Sequence, residues 1–234
     1  QIDPMALAWM GAIFLFFGEV AALMSLPNLV RVVIWSTVAE IGYILIGIGL
    51  GGEAGLTGAY MHFGYQVIMR GLVIAAGWYI IRRTGSSRLD DLAGSGHRMP
   101  VAAMLFGFGM FSVMGLSPFK GSFSKFLVLY AAIEQGHWAI ALIGTAASIV
   151  AAYYYLVVIQ RVCLEHPTRR VELNAAPSLA LPIAWALAAV TALISVFPLP
   201  FQHAAETLAG AVGGVPEFES PWALLVLVPY IGGF

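Results

Sequence analysis

Charged side chains are scarce in this chain. Of its 234 residues, 10% are Asp, Glu, Lys or Arg, against roughly 25% in a typical soluble domain. Hydrophobic residues make up 60%, with a further 26 glycines, and mean hydropathy is +0.89. So few charges cannot cover a soluble domain with a polar surface. The composition excludes a soluble globular enzyme, and it equally excludes disorder. Net charge is −1, so no global field favours nucleic acid or acidic substrates. Cys163 is the single cysteine, which excludes an intrachain disulfide framework and argues against a cysteine metal site. The first Lys or Arg is Arg31, so the opening stretch does not read as a basic signal peptide. An integral membrane protein remains, with the lipid bilayer as its first partner.

The hydrophobic runs are long and do not alternate, which favours spanning helices over a lipid-facing barrel. They cover residues 5–24, 30–50, 56–81, 100–116, a shorter piece at 122–132, then 138–162 and 178–197. A last run at 222–234 is too short for a span of about 20 residues. The expected fold is all-α: one transmembrane bundle of about seven or eight helices over residues 1–234. Three polar connections separate the runs. One spans residues 82–98, one holds Arg161, Arg169 and Arg170, and a Pro- and Gly-rich one spans 198–221. If every run crosses once, the first two loops lie on opposite sides. The arginine count then leans toward the 82–98 side as cytoplasmic. Pro118 and Gly121 interrupt the apolar sequence Gly115-Leu116-Ser117-Pro118-Phe119-Lys120-Gly121. A helix break is expected there, because Pro removes a donor and clashes with the preceding turn. The break is either a tight external turn or part of a solvated pathway.

Several ionisable residues fall at apparent membrane depth: Glu19, Glu40, Arg70 and Lys125, with His62 and Gln66 as polar neighbours. One such charge costs about 2.5–3.5 kcal/mol at mid-membrane, so four uncompensated ones cost on the order of 10–14 kcal/mol. They must pair, meet water or change protonation state. His62, Gln66 and Arg70 stand at four-residue steps and so share one helix face. A His there can relay a proton, a Gln can order water, and an Arg stays charged and sets the field. The same stripe could equally hold two helices together by hydrogen bonds. Glu40, with Ser36 one turn earlier, is either a titratable group or half of a static ion pair with a cation such as Arg70 or Lys125. Glu19 reads similarly but ranks below Glu40. Lys125 follows the break by one turn and is either a proton-exchanging group or a snorkelling one. Lys120 fits snorkelling better.

The five histidines form no ligand pair at helical spacing, so no metal site is expected. No phosphate loop or dinucleotide fingerprint occurs, and no cofactor or catalytic centre is expected in this chain. Tyr153-Tyr154-Tyr155 reads as interface anchor or core packing. Trp138 and Trp222 fit interfacial belts.

Three stretches together resemble the antiporter-like proton-translocating subunits of respiratory complex I. That family also includes membrane-bound hydrogenase subunits and the large subunits of multisubunit cation/proton antiporters. In residues 29–43, Arg31, Ser36, Gly42 and Tyr43 match the family's pattern and Glu40 replaces its usual His, while just before the stretch Asn28 replaces its Asp. The stretch from His62 to Gly77 is similar to a family helix carrying His, a second His or polar residue, and Lys at four-residue steps; Gln66 and Arg70 take the last two places. The loop 84–92 and Met99-Pro100 continue the match. Residues 115–126, ending in Lys125-Phe126, resemble the family's Gly-Leu-Pro-Pro-x-x-Gly-Phe-x-x-Lys-Phe, and 151–156 resembles the next family helix.

The resemblance runs from about residue 11 to 164. It implies an all-helical bundle of inverted repeats, each with a discontinuous helix beside a half-channel. It places His62, Gln66 and Arg70 on a central polar axis and makes Lys125 the terminal proton-exchanging lysine. A full family member has about twice as many helices, and the front repeat with its own Glu and Lys is missing here. The chain therefore resembles the second repeat and C-terminal helices. The implied function is proton translocation within a larger redox or antiporter complex. Its partners would be other membrane subunits, one of which supplies the front repeat, in a bacterial inner membrane. The alternative is a non-conducting structural subunit whose polar residues are fixed ion pairs that dock a partner.

Overall fold

The computed structural model describes residues 3–115, 121–167, 172–174 and 179–213. Among them there is no strand, only an isolated bridge between Asn28 and Arg88. Helix α1 is Pro4–Met24; the Asp3 side chain caps it by accepting the Met5 amide at 3.1 Å, and Pro in the first turn needs no amide partner. Helix α2 is Leu29–Leu50, capped by Asn28, which accepts the Arg31 amide at 3.1 Å. Helix α3, Gly52–Thr84, has 33 residues and is about 50 Å long. Two single turns, α4 (Leu89–Leu92) and α5 (Ser95–Arg98), occupy the loop that follows. Then come α6 (Pro100–Met114), α7 (Gly121–Glu134) and α8 (Trp138–Ile159), which ends in a π-turn at Gln160–Leu164. Helices α9 (Ala180–Val196) and α10 (Leu199–Gly213) complete the described residues and meet at 82°. Among the described residues four helices are long and apolar enough to cross a membrane, α1, α2, α3 and α8 with its π-turn, and the bent pair α9–α10 makes up to five.

Helices α6 and α7 have 15 and 14 residues, each about 22 Å, shorter than a hydrocarbon core of about 30 Å. They stack along α3 as two halves of one crossing. Gly109 of α6 abuts Leu72 and Val73 in the C-terminal half of α3, and Gly58 of α3 abuts Leu127 and Val128 of α7 in the N-terminal half. Helix α6 stops where Gly115 takes the left-handed conformation, with φ 80°, which an L side chain resists. Pro118, expected to break the helix, lies outside the described residues, as do Lys120, Arg169, Arg170 and the run 222–234. Gly121 opens α7.

This half-and-half crossing overturns the expected loop placement. The arginine-rich loops lie at the same end of the bundle, not at opposite ends. The Gly94 amide donates to the Arg161 carbonyl at 3.0 Å, Arg161 pairs with Asp90 at 2.8 Å, and the rings of His97 and His166 stack at 4.5 Å. The start of α2 shares that end, since the Leu29 amide donates to Ser87 at 2.9 Å. The reason is arithmetic: the runs at 100–116 and 122–132 cross once between them. The loop expected at 198–221 is also corrected. Its first part is α10, with Gln202, Ala205 and Ala209 buried on one face. The Phe201 ring lies over Gly64 and stacks on Tyr65 at 4.6 Å. That face supplies burial which outweighs the Pro and Gly content.

Helices α1 and α2 pack at backbone distance through a small-residue stripe, in which Ala8, Gly11, Gly18 and Ala22 are buried. Small residues let membrane helices approach closely enough for dispersion to hold them. A Cβ on Gly42 would lie 2.5 Å from the Gly11 carbonyl oxygen. Gly42→Ala is therefore expected to destabilise the protein by about 1–3 kcal/mol, read as a lower midpoint of thermal unfolding in mild detergent. The opposite face of α1 turns Ile13, Phe16 and Phe17 outward, each more than half exposed, as a lipid-facing surface requires.

Candidate buried ionic centre

Glu40 sits midway along α2 and is 2% exposed. It is the hub of the site. Lys125, one turn into α7, places Nζ 2.8 Å from Glu40 Oε1. His62 of α3 places Nε2 2.8 Å from Glu40 Oε2. Arg70, two turns further along α3, brings Nη2 to 3.9 Å from Oε1. Three helices thus converge on one carboxylate. A carboxylate only accepts hydrogen bonds, so His62 donates from Nε2. In neutral His62, Nδ1 then accepts from the Ser124 hydroxyl, 3.0 Å away. The Lys125 ammonium also lies 5.1 Å from the centre of the Tyr43 ring, within cation–π range. Tyr43 is held by its own hydroxyl, which meets the Gly144 carbonyl at 2.7 Å and Ser148 Oγ at 2.6 Å.

Arg70 spends its fork on neutral acceptors. Nη1 donates to Ser36 Oγ at 2.8 Å, Thr37 Oγ1 at 3.1 Å and the Val33 carbonyl at 3.3 Å. Nη2 donates to Tyr155 Oη at 3.2 Å, and Nε to Gln66 Oε1 at 3.1 Å. Five fixed donors suit this task and a lysine ammonium would not. A unit pair near 4 Å is worth about 4 kcal/mol gross at an effective dielectric near 20. Glu40 and its cations therefore offset much of the cost of burying them. Glu19 of α1 differs. It is 1% exposed, and among the described residues neither of its carboxylate oxygens has a hydrogen-bond partner. The Tyr154 hydroxyl lies beside it, and Glu40, Lys125 and Arg70 act on it through space.

The structure therefore brings Glu40, His62, Gln66, Arg70 and Lys125 into one contact network and leaves Glu19 at its edge. Glu40 meets both candidate cations at once. The tyrosine run is more than anchor or packing: Tyr155 binds Arg70, Tyr154 faces Glu19, and Tyr153 is exposed. Thr37, Ser124 and Tyr43 also escaped sequence reasoning as site residues. Ser124 had a signal in its place beside Lys125, and Tyr43 in its place one turn after Glu40. Tyr155, 85 positions from Arg70, had none. Among the described residues no group of His, Cys, Asp and Glu is arranged to hold a metal ion.

Fold and site together define a polytopic helical membrane protein built around a buried ion-pair network. The chain belongs to the NADH:quinone oxidoreductase/Mrp antiporter transmembrane family, whose model matches residues 4–151, from α1 into α8. Subunit N of the NADH-quinone oxidoreductase of Granulibacter bethesdensis is 31% identical over 210 residues, 88% of this chain and 43% of that protein. Subunit N 1 of the enzyme of Rhizobium meliloti is 36% identical over 142 residues, 60% of this chain and 30% of that protein. A chain of the archaeal membrane-bound sulfane sulfur reductase superposes with TM-score 0.79 at 24% identity, covering 89% of this chain and 42% of that one. A chain of the Mrp complex of Dietzia sp. DQ12-45-1b gives 0.77 at 24% identity, covering 87% and 47%. These two share the fold. The chain spans less than half the length of the curated relatives it matches.

Proposed function

We propose that this chain is the second-repeat half of an antiporter-like subunit and moves protons within a larger membrane redox or cation/proton antiporter complex. Other membrane subunits would complete that complex, in a bacterial cytoplasmic membrane. The observation that carries this reading is the unbroken buried contact chain from Lys125 through Glu40 and His62 to Ser124, flanked by Arg70. A charge change in a neighbouring subunit would loosen the Lys125–Glu40 pair and move a proton through His62, whose two nitrogens face Glu40 and Ser124. Gln66 and Arg70 would orient that chain, Glu19 would receive or return a proton at its edge, and the interruption between α6 and α7 would admit water beside Lys125. Arg31, Arg82, Arg83, Arg88, Arg98 and Arg161 collect at the end where α2 begins, which supports a cytoplasmic placement of that end.

A second reading, a structural subunit with fixed ion pairs, draws support from Glu40, both of whose oxygens are already partnered. His62→Gln separates the two. The amide keeps a donor and an acceptor but cannot relay a proton. Proton translocation in inverted vesicles energised by the complex's own electron or ion source should fall at least about tenfold, with the same subunits still copurifying. Unchanged translocation would leave the scaffold reading standing.

A further inference from the structure

An apolar groove of about 230 Å³ opens between α2, α3 and α6 on the outer surface, and its wall residue Val33 also offers its carbonyl to Arg70. Val30, Ile34, Ile74, Trp78 and Phe106 are among its walls. It follows α3 from Val73 to Ile81, about 12 Å at 1.5 Å per residue. Gly77 forms its floor, because a Cβ there would press on the Phe106 ring at 3.2 Å. The groove reaches the aqueous end of the bundle, where Leu29 opens α2 and α3 nears its C-terminus at Thr84.

The rim at that end is positive. Arg82 lies one turn beyond Trp78, with its guanidinium 5.9 Å from the Trp78 ring centre. Arg31 stands in the first turn of α2, one turn before Ile34 and about 60° around the helix from it. Both arginines are exposed, and among the described residues neither has an acidic partner. Two nearby acids are engaged elsewhere, Asp90 by Arg161 and Asp91 by Ser86, while exposed Glu172 stands two residues before Asn174, whose side chain donates to the Arg82 carbonyl at 3.4 Å. The first turn of α2 adds its own partial positive charge. Two of its amides are spent, Leu29 on Ser87 and Arg31 on Asn28. The Val30 amide, on the groove wall, has no acceptor among the described residues.

We propose that this groove binds an anionic phospholipid, with an acyl chain along Ile74 and Trp78 and the phosphodiester between Arg31 and Arg82. An apolar slot alone accepts any chain. The paired cations at its mouth select an anionic headgroup, each worth roughly fivefold in affinity. This site is independent of whether the chain conducts protons.

The test uses the protein in nanodiscs together with whatever subunits copurify with it. Chain-brominated phosphatidylglycerol or chain-brominated phosphatidylcholine is titrated into an unbrominated phosphatidylcholine matrix. The Trp78 contribution is the quenching lost in Trp78→Phe. The expected result is half-quenching of Trp78 at a mole fraction of brominated phosphatidylglycerol roughly 25-fold below that of brominated phosphatidylcholine. The selectivity should vanish in the Arg31→Gln/Arg82→Gln double variant and be reduced about fivefold in each single one. Coincident curves for the two lipids overturn the proposal. So does selectivity that survives the double variant. Trp78 that neither lipid quenches would mean that a protein partner fills the groove, which also overturns it.

Discussion

Lys125→Met is expected to abolish proton translocation while leaving the protein folded and assembled. The ammonium is Glu40's closest cation, at 2.8 Å, and Met replaces it with a side chain of similar reach that carries no proton. Breaking a buried pair usually costs about 3–5 kcal/mol, because the remaining charge stays buried and uncompensated. Here the cost should fall at the low end. Glu40 keeps His62 at 2.8 Å and Arg70 at 3.9 Å. Translocation in inverted vesicles, measured beside copurification of the other subunits, checks this. A conducting chain gives an assembled but silent complex. A scaffold gives normal translocation or lost assembly. Arg70→Met makes a useful companion. It strips donors from Ser36, Thr37, Tyr155 and Gln66 together, so structural damage there should exceed that at Lys125.

Glu40→Gln is expected to cost more stability than Lys125→Met, with translocation lost in both. The difference follows from counting partners. Removing the lysine leaves one anion with a cation and an imidazole. Neutralising Glu40 leaves two cations, Lys125 and Arg70, whose shared anion is gone. Glu19, the other buried carboxyl, sits at the edge of the network without hydrogen-bonding either of them. A loss near the top of the 3–5 kcal/mol range is expected, read from thermal unfolding in mild detergent. The double variant Glu40→Gln/Lys125→Met should be more stable than the sum of the single losses predicts, by at least about 1 kcal/mol, as contacting residues in one network require. Additivity would show that the 2.8 Å contact contributes nothing, and would remove the hub role of Glu40.

Most of the fold was legible in the sequence because lipid demands long apolar runs. The runs at 5–24 and 30–50 became α1 and α2 with small end shifts. The run at 56–81 grew into α3, since Gly52, Glu53 and Thr84 extend the helix without breaking it. The family was legible too, through Arg31, Ser36, Gly42, Tyr43 and the segment ending at Lys125. Loop placement was not legible. Whether 100–116 and 122–132 cross once or twice depends on how α6 and α7 stack along α3. No local pattern distinguishes a short span from half a span. Helix α10 was misread because the helix-breaking residues near 198 start it rather than prevent it, and its burial depends on Gly64 and Tyr65.

For the site, sequence alone determined which charges had to be accounted for: Glu19, Glu40, His62, Gln66, Arg70 and Lys125. The cost of charge in hydrocarbon makes each conspicuous wherever it is placed. Tertiary structure decided which of them meet. Glu40 took His62, Lys125 and Arg70, drawn from positions 22 to 85 residues away. Glu19 was left at the edge of the network beside Tyr154, and Tyr155 was recruited to Arg70. The depth of a residue in a membrane is written in its own helix, but its partner is set by the rotation and crossing of a different helix. That geometry comes from small-residue contacts such as Gly11 on Gly42, and it exists only once the helices have packed.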